Sequence, residues 1–330
     1  MSFKKLLLTG ASGFLGRFLI PEFLGAGFTV EAVSRKRIES TDAVRWVQGD
    51  ITNEDFLATA IDGCDVVVHA AGKTGEPLHA DDRREFFQVN GTAAAAVAKA
   101  ARRAGVRQFI HLSSTGVFGP GTGSFTEDSS CRPANVYEES KLAGEQAVLA
   151  EASALMDVLV VRPSNVFGEK HPWNKLLSWL RSVKQGRAVL VQPPDINHVN
   201  YVYAGDVARA IAVFATAFLD NHEAHAGIYI INTPATVQDF YEASASALGV
   251  PYKPIKVPKG PLMLTAMICD AVSHATGLCF PLTRDKVREL CNRQVFTSSK
   301  LKALQPQFPY FGLQDGLRKL CTYYKESDLL

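Results

Sequence analysis

The sequence predicts an α/β fold, a doubly wound parallel sheet joined to a smaller, mostly C-terminal lobe. Two observations predict it. Short apolar runs alternate with helix-like stretches through the first half of the chain, and three glycines follow the first of those runs. Strands of a parallel sheet are covered by helices on both faces, so they read as continuous apolar runs. In order these are KLLLTG, TVEAVS, VRWVQGD, DVVVHAA, QFIHLSS and DVLVVRP. Between them lie the helical stretches FLGRFLIPEFLGAG, NEDFLATAIDG and GTAAAAVAKAARRAG. Pro21 interrupts the first helix, which predicts a kink or a distorted turn there. Beyond the sixth strand the pattern is less regular. QPPDINH reads as a loop, NYVYAGDVARAIAVFATAF opens a helix, and GIYIINTP is another buried strand. No repeat, low-complexity segment or clean linker separates the two parts.

Composition narrows the function. The chain has 330 residues, 47% of them hydrophobic, enough for a large core. A net charge of +2 gives no reason to expect a nucleic-acid partner. The six cysteines (Cys64, Cys131, Cys269, Cys279, Cys291, Cys321) lack CxxC spacing. They read as reduced, mostly buried thiols and not as a disulfide frame or a metal site. MSFKKLLLTG turns to glycine too soon for a signal peptide, so a cytoplasmic location is expected. The stretch at 260–280 is largely apolar, but Asp270 and His274 inside it argue against a transmembrane span. A buried helix or a lid over a pocket is the expected reading, and contact with a membrane surface is the alternative.

The glycines carry the first chemical signal. Gly10, Gly13 and Gly16 sit after a strand and at the mouth of a helix, spaced GxxGxxG. There they permit a tight turn, close approach of a diphosphate and helix–strand packing, with the helix N-terminus facing the phosphates. Ser12, Phe14 and Leu15 lie in the same loop and are taken as cofactor-binding with them. An acidic residue after the second strand would signal NAD. Ser34, Arg35, Lys36 and Arg37 stand there instead. A guanidinium matches a 2′-phosphate in charge and donor geometry, so Arg35 favours NADP, with NAD still open. Asp50, followed by Ile51, ends the third strand, where a carboxylate can accept the adenine amino group. Ala70, Ala71 and Gly72 end the fourth with small residues that let backbone approach the cofactor, while His69 reads as a packed strand residue.

Taken with SSTGVFG (113–119), YEESK (137–141) and RPSNVFG (162–168), these features resemble the extended short-chain dehydrogenase/reductase superfamily. The likeness is to its NAD-dependent epimerase/dehydratase branch, from about Lys4 to Asp206. The resemblance implies a Rossmann-type NADP-binding domain over 1–165, with 201–231 returning to it. It implies a substrate-binding lobe from 166–200 and 232–330, and a homodimer joined through helices including the one with Tyr137. It further implies that Tyr137 is the acid/base and Lys141 its tuner, with Ser114 orienting the substrate oxygen and Asn90 supporting the site. Ser113 and Thr115 leave that serine's register open by one, and Asn90 equally suits a helix cap. A phenol titrates near 10 on its own. Lys141 lies one turn on and on the same face, where its charge is expected to lower that value and its ammonium to hold the nicotinamide ribose. Pro163 and Val166 are expected at the nicotinamide amide, and Arg162 is taken as structural.

Departures from the family pattern exclude one chemistry. Thr115 and Gly116 stand where the branch's 4,6-dehydratases carry an Asp-Glu pair, so elimination lacks its acid–base catalyst. Val199 stands where nucleotide-sugar members commonly place a diphosphate-gripping arginine; His198, Lys184 and Arg187 are the nearest basic candidates. The apolar 260–280 segment resembles that of reductases for bulky apolar alcohols, whereas HPWNKLLSWLRSVKQGRAVLV is laid out like the nucleotide-binding segment of sugar enzymes. Trp173 and Trp179 offer rings for stacking, with core packing expected for at least one of them. The sequence therefore predicts an NADP(H)-preferring oxidoreductase for a small-molecule substrate, either a nucleotide sugar or a bulky, steroid-like alcohol or ketone. An epimerase with tightly held cofactor and a silent NADP(H) sensor are the rival readings.

Overall fold

The structure is a computed structural model that describes residues 4–75, 82–174, 176–193, 197–221, 226–278, 280 and 282–330. In chain order its strands are β1 (Lys4–Thr9), β2 (Phe28–Ser34), β3 (Val44–Gln48), β4 (Val66–His69), β5 (Gln108–Leu112), β6 (Gly123–Phe125) and β7 (Asp157–Pro163). They continue with β8 (Asn165–Phe167), β9 (Val189–Gln192), β10 (His198–Tyr203), β11 (Gly227–Ile231), β12 (Thr233–Thr236), β13 (Ile255–Pro258) and β14 (Gln294–Phe296). The helices begin with α1 (Gly16–Gly25), α2 (Glu54–Ile61), α3 (Asp82–Phe87), α4 (Ala93–Arg103), α5 (Val136–Leu149) and α6 (Leu177–Lys184). After them come α7 (Ala204–Asn221), α8 (Val237–Leu248), α9 (Lys259–Thr276), α10 (Arg284–Leu290), α11 (Ser299–Leu304) and α12 (Gly312–Glu326).

Seven strands, all parallel, form the main sheet in the order β3-β2-β1-β4-β5-β7-β11. Alternation along each strand divides its side chains between two cores. Leu6 and Leu8 of β1 face a core shared with Phe23 of α1 and Phe214 of α7, while Leu7 joins Leu57 of α2 and Val97 of α4 on the other side. Both faces are covered, as the apolar runs predicted. The chain reverses direction across the sheet between β1 and β4, and this switch point is where parallel sheets open a ligand crevice. α1 runs unbroken through Pro21. The amide that proline lacks would have bonded the carbonyl of Arg17, an exposed residue whose carbonyl water can serve.

A third core belongs to the C-terminal lobe. Trp179 of α6, Phe240 of α8, Tyr201 of β10 and Leu320 of α12 meet there. Short sheets frame it: β12-β10-β8, β13-β9 and β14-β6. The last pairs Gln294–Phe296 with Gly123–Phe125, sewing the lobe to the segment that follows the paired serines. Within 260–280 the structure departs from a buried helix. α9 packs inward through Leu262 and Ala266, and most of its other side chains are exposed. The described cysteines are free, with Cys64 and Cys321 buried and Cys131, Cys269 and Cys291 only half-buried; Cys279 lies outside the described residues.

Candidate active site

The glycine loop caps β1 at the switch point. Gly10 takes φ +71°, and a Cβ there would lie 2.6 Å from the backbone of Ala70 and Ala71. Gly16 is as tightly placed, since a Cβ would meet the Ala11 carbonyl oxygen at 2.1 Å. Gly10 presses the loop onto the end of β4, and Gly16 lets the start of α1 pack on Ala11 within the loop. Gly13 is exposed, and its would-be Cβ meets only the Gly10 oxygen, at 3.0 Å. That leaves open space beside the first turn of α1, whose amides have no partner inside the helix. Leu15 caps α1 through its carbonyl, and Phe14 packs edge-on against Phe18 and His171.

At the end of β2, the buried Ser34 reaches Ser12 of the glycine loop (Oγ to Oγ 3.4 Å) and accepts from the amide of Lys36 (3.1 Å). Arg35 is exposed beside them. Asp50 accepts from the amide and hydroxyl of Thr52 at 2.9 and 2.8 Å. Those bonds, with a smaller contribution from the Arg35 charge, hold its carboxyl below the usual range. Ile51 packs on the core beneath. The Ala70 amide donates to the Thr9 carbonyl and the Ala71 amide to the Thr9 hydroxyl. Gly72 faces both Asn90 Oδ1 and Lys141 Nζ, which would lie 3.1 and 3.8 Å from a Cβ.

Asn90 does not cap a helix. It lies inside the π-helical turn Gln88–Thr92, buried. Its side chain accepts from the Lys73 amide (2.8 Å) and donates to the Lys73 carbonyl and to Ser140 Oγ (2.9 Å each). One amide thus ties the strand-end loop to α5. A π-bulge inside a helix is a recurrent mark of functional sites.

α5 begins at the Asn135 cap and carries Tyr137 and Lys141 on its inner face. The Ser114 hydroxyl lies beside the Tyr137 phenol and hydrogen-bonds it. Ser114 also accepts from the Gly116 amide at 3.1 Å and so caps the short 3₁₀ turn Thr115–Phe118. The electrostatics correct one expectation. Burial pushes the Tyr137 phenol above its ordinary value, against the Ser114 bond and helped by the Glu138 charge. The buried Lys141 ammonium turns instead to the Leu112 carbonyl at 2.5 Å. Burial brings Lys141 itself down to about 8, with Glu145 opposing. The Glu138 carboxylate accepts from the Ala134 amide and lies against Gly116.

Sequence reasoning took Arg162 as structural and His69 as packed, but missed their partners in this wall, Glu145 and His111. Glu145, one turn beyond Lys141, makes a buried two-point pair with Arg162 at 2.9 and 2.6 Å. It bolts α5 to the end of β7, next to Pro163, and the Arg162 guanidinium also lies over the Phe118 ring. The i, i+4 spacing of Lys141 and Glu145 was the available signal. His69 and His111 stack behind Lys141 with ring centroids 5.4 Å apart, both fully buried. Burial and the Lys141 charge bring His69 to about 3 and His111 well below its ordinary value, so both are neutral imidazoles. Val166 of β8 is half-buried against the main core, and Gly168 beyond it packs on Phe14 and Phe18. Trp179 is core, whereas Trp173 is 56% exposed, precedes α6, and lies near Gly75. Val199 is buried in the lobe's apolar core.

The cradle could hold a nicotinamide dinucleotide: the glycine mouth is open beside the first turn of α1, Ser12, Ser34 and Arg35 stand together at the end of β2, and Tyr137 and Lys141 stand on α5. Among the described residues, no cluster of three His, Cys, Asp or Glu could hold a metal ion, and no helix is long and apolar enough to cross a membrane.

Known proteins share this family pattern and fold. The family model described as NAD dependent epimerase/dehydratase family matches residues 6–230. The decarboxylating sterol-4-alpha-carboxylate 3-dehydrogenase of Saccharomyces cerevisiae is 27% identical, over 97% of this chain and 98% of its own. The 3 beta-hydroxysteroid dehydrogenase/Delta 5-->4-isomerase of Mycobacterium tuberculosis is 25% identical, over 97% and 90%. A UDP-glucuronic acid 4-epimerase from Bacillus cereus, solved with NAD, shares the fold at a TM-score of 0.72, with 19% identity over 98% and 99%.

Proposed function

The chain belongs to the NAD dependent epimerase/dehydratase family, and on that premise we propose that it is an NADP(H)-preferring oxidoreductase interconverting a bulky apolar secondary alcohol and its ketone. The observation that carries the reading is the Ser114–Tyr137 hydrogen bond beside a buried Lys141. A bound nicotinamide supplies the hydride exchange at the carbinol carbon. The chain's own residues handle the oxygen. Ser114 and Tyr137 stand side by side, so a carbonyl oxygen seated between them would accept from both hydroxyls in place of the bond they make to each other. A phenol held above its ordinary value stays protonated at neutral pH, which suits it to donate its proton as the alkoxide forms. Asn90 and the Arg162–Glu145 pair fix the two sides of the site, and Thr9 and Asn90 hold the strand-end loop.

The cofactor preference is supported by the end of β2, where Ser34 and Arg35 stand and no carboxylate does. The apolar substrate class is supported by Val199, buried where an arginine would grip a diphosphate, and by two of the relatives matched over their full length, whose names specify sterol and steroid substrates. The reading takes 1–165 with 201–231 as the cofactor domain and the remainder as the substrate lobe, in a homodimer joined through helices including α5. The test is a panel of bulky apolar ketones and nucleotide sugars, assayed with NADPH and NADH and scored by thermal stabilisation. Turnover of apolar ketones with NADPH is the expected result. Conversion of nucleotide sugars alone, with stoichiometric cofactor released only on heating, would establish the epimerase instead. Cofactor binding without turnover of any compound would leave a sensor.

A further inference from the structure

α9 presents an outward face that a water-exposed helix does not ordinarily carry. Successive helical residues turn by about 100°, which places Leu264, Met267, Ile268, Ala271, Val272 and Ala275 on one face about 140° wide. No polar side chain lies within it. Leu264, Met267 and Ile268 are 60%, 51% and 57% exposed, and Leu278, just past the Gly277 cap, is 60% exposed. The inward residues Leu262 and Ala266 already bury α9 against the lobe, so this second apolar stripe is not used by the fold. The helix's carboxylate, Asp270, is turned aside to pair with Arg284 of α10 at 2.7 Å. A contiguous exposed apolar patch of this kind marks an interaction surface.

Charge identifies the partner. Segment 253–293, which comprises β13, α9, α10 and their connections, holds seven Lys and Arg against three Asp and Glu, although the whole chain nets only +2. Lys253, Lys256 and Lys259 are exposed at the entrance to α9, beside the 49% exposed Ile255. Arg284 and Arg288 are exposed on α10, which packs against α9. A second copy docked across a two-fold axis would bring this positive patch against itself. An anionic bilayer answers both features, taking the apolar stripe below the headgroups and the lysines among them. We propose that α9 and the lysine-rich segment before it form a peripheral docking surface for anionic lipid membranes. The helix lies in the interface and does not span it. The inference goes beyond the catalytic reading, because vesicle binding requires neither cofactor nor Tyr137.

The experiment is flotation of the full chain with phosphatidylcholine vesicles, with and without phosphatidylserine. Binding to the anionic vesicles, weakened by salt, is expected. Leu264→Glu with Ile268→Glu should lose that binding by about tenfold or more. Lys253→Glu, Lys256→Glu and Lys259→Glu should each weaken it about fivefold or more. Hydrogen exchange on the unmodified chain needs no variant, and α9 amides should slow when anionic vesicles are added. Failure of the unmodified chain to float with anionic vesicles overturns the proposal. So does equal flotation of the Leu264→Glu, Ile268→Glu variant, or exchange of α9 left unchanged by vesicles. A dimer that this variant splits, in a chain that ignores vesicles, would assign the stripe to a second copy.

Discussion

The wall beneath Tyr137 and the outer face of α9 reverse the usual distribution of polar and apolar groups in opposite directions. In the wall, Lys141, His69, His111, Asn90, Glu145 and Arg162 are buried. On α9, leucine, methionine and isoleucine face water. The difference lies in where the compensation is found. Lys141 has the Leu112 carbonyl, Asn90 has Lys73 and Ser140, and Arg162 has Glu145, all within the chain, while His111, without a hydrogen-bond partner among the described residues, stacks on His69. α9's outer stripe has no such partner among the described residues, so its complement is sought outside. Buried polar groups with internal partners define a reaction site; exposed apolar groups define a surface.

The sharpest way to break the first half of that comparison is to remove one member of a buried pair. Glu145→Ala leaves the Arg162 guanidinium buried without its carboxylate, and urea unfolding should show a loss of about 3–5 kcal/mol. A loss below about 1 kcal/mol would mean that the pair does not fasten α5 to β7.

Lys141→Met should lower turnover by about a hundredfold while the protein stays folded, measured as kcat/KM under NADPH saturation. The same group makes a prediction of opposite sign for stability. Its native value is near 8 and its ordinary value is 10.5, so within that window the unfolded chain binds a proton that the native chain lacks. Native stability attributable to Lys141 therefore rises as pH rises through the window and is lost as pH falls back through it. Turnover should fall over the same range as the ammonium disappears. Thermal midpoints of the parent and Lys141→Met between about pH 8 and about pH 10 check the sign, and an identical pH trend in both would contradict it.

At the cofactor's adenosine end, Arg35→Ala should raise KM for NADPH by about tenfold and leave KM for NADH nearly unchanged. Equal effects on both would remove the 2′-phosphate role. On α9 the expected effect on folding is the smallest. Ile268→Ser should change unfolding free energy by no more than about 0.5 kcal/mol, because the side chain has little to lose. A loss of several kcal/mol would show that the stripe is already covered within the folded protein.

The sheet was readable because strands covered on both faces leave unmistakable apolar runs, and the glycine loop because its position after β1 gives each glycine a task. Tyr137, Lys141 and Ser114 were read as a set, and the structure places Ser114 beside Tyr137 on the inner side of α5. What sequence could not give is contact at a distance. Asn90 as a tether depends on Lys73 and Ser140, which lie 17 and 50 residues away. The phenol's upward shift depends on how deeply α5 seats and on a lysine turning toward Leu112. The lobe resisted for the same reason: β14 pairs with β6 across about half of the chain, and a three-residue strand has no period to read. α9 was legible as apolar, but only the packing of Leu262 and Ala266 showed which face it leaves in water.

The most direct test of the central claim is Tyr137→Phe, which keeps the ring against Phe86 (centroids 6.3 Å apart) and removes only the hydroxyl. Single-turnover reduction of the best ketone under saturating NADPH should slow by about a thousandfold, with cofactor affinity and thermal midpoint held. Unchanged single-turnover rate in that variant would contradict the assignment of Tyr137 as the proton donor.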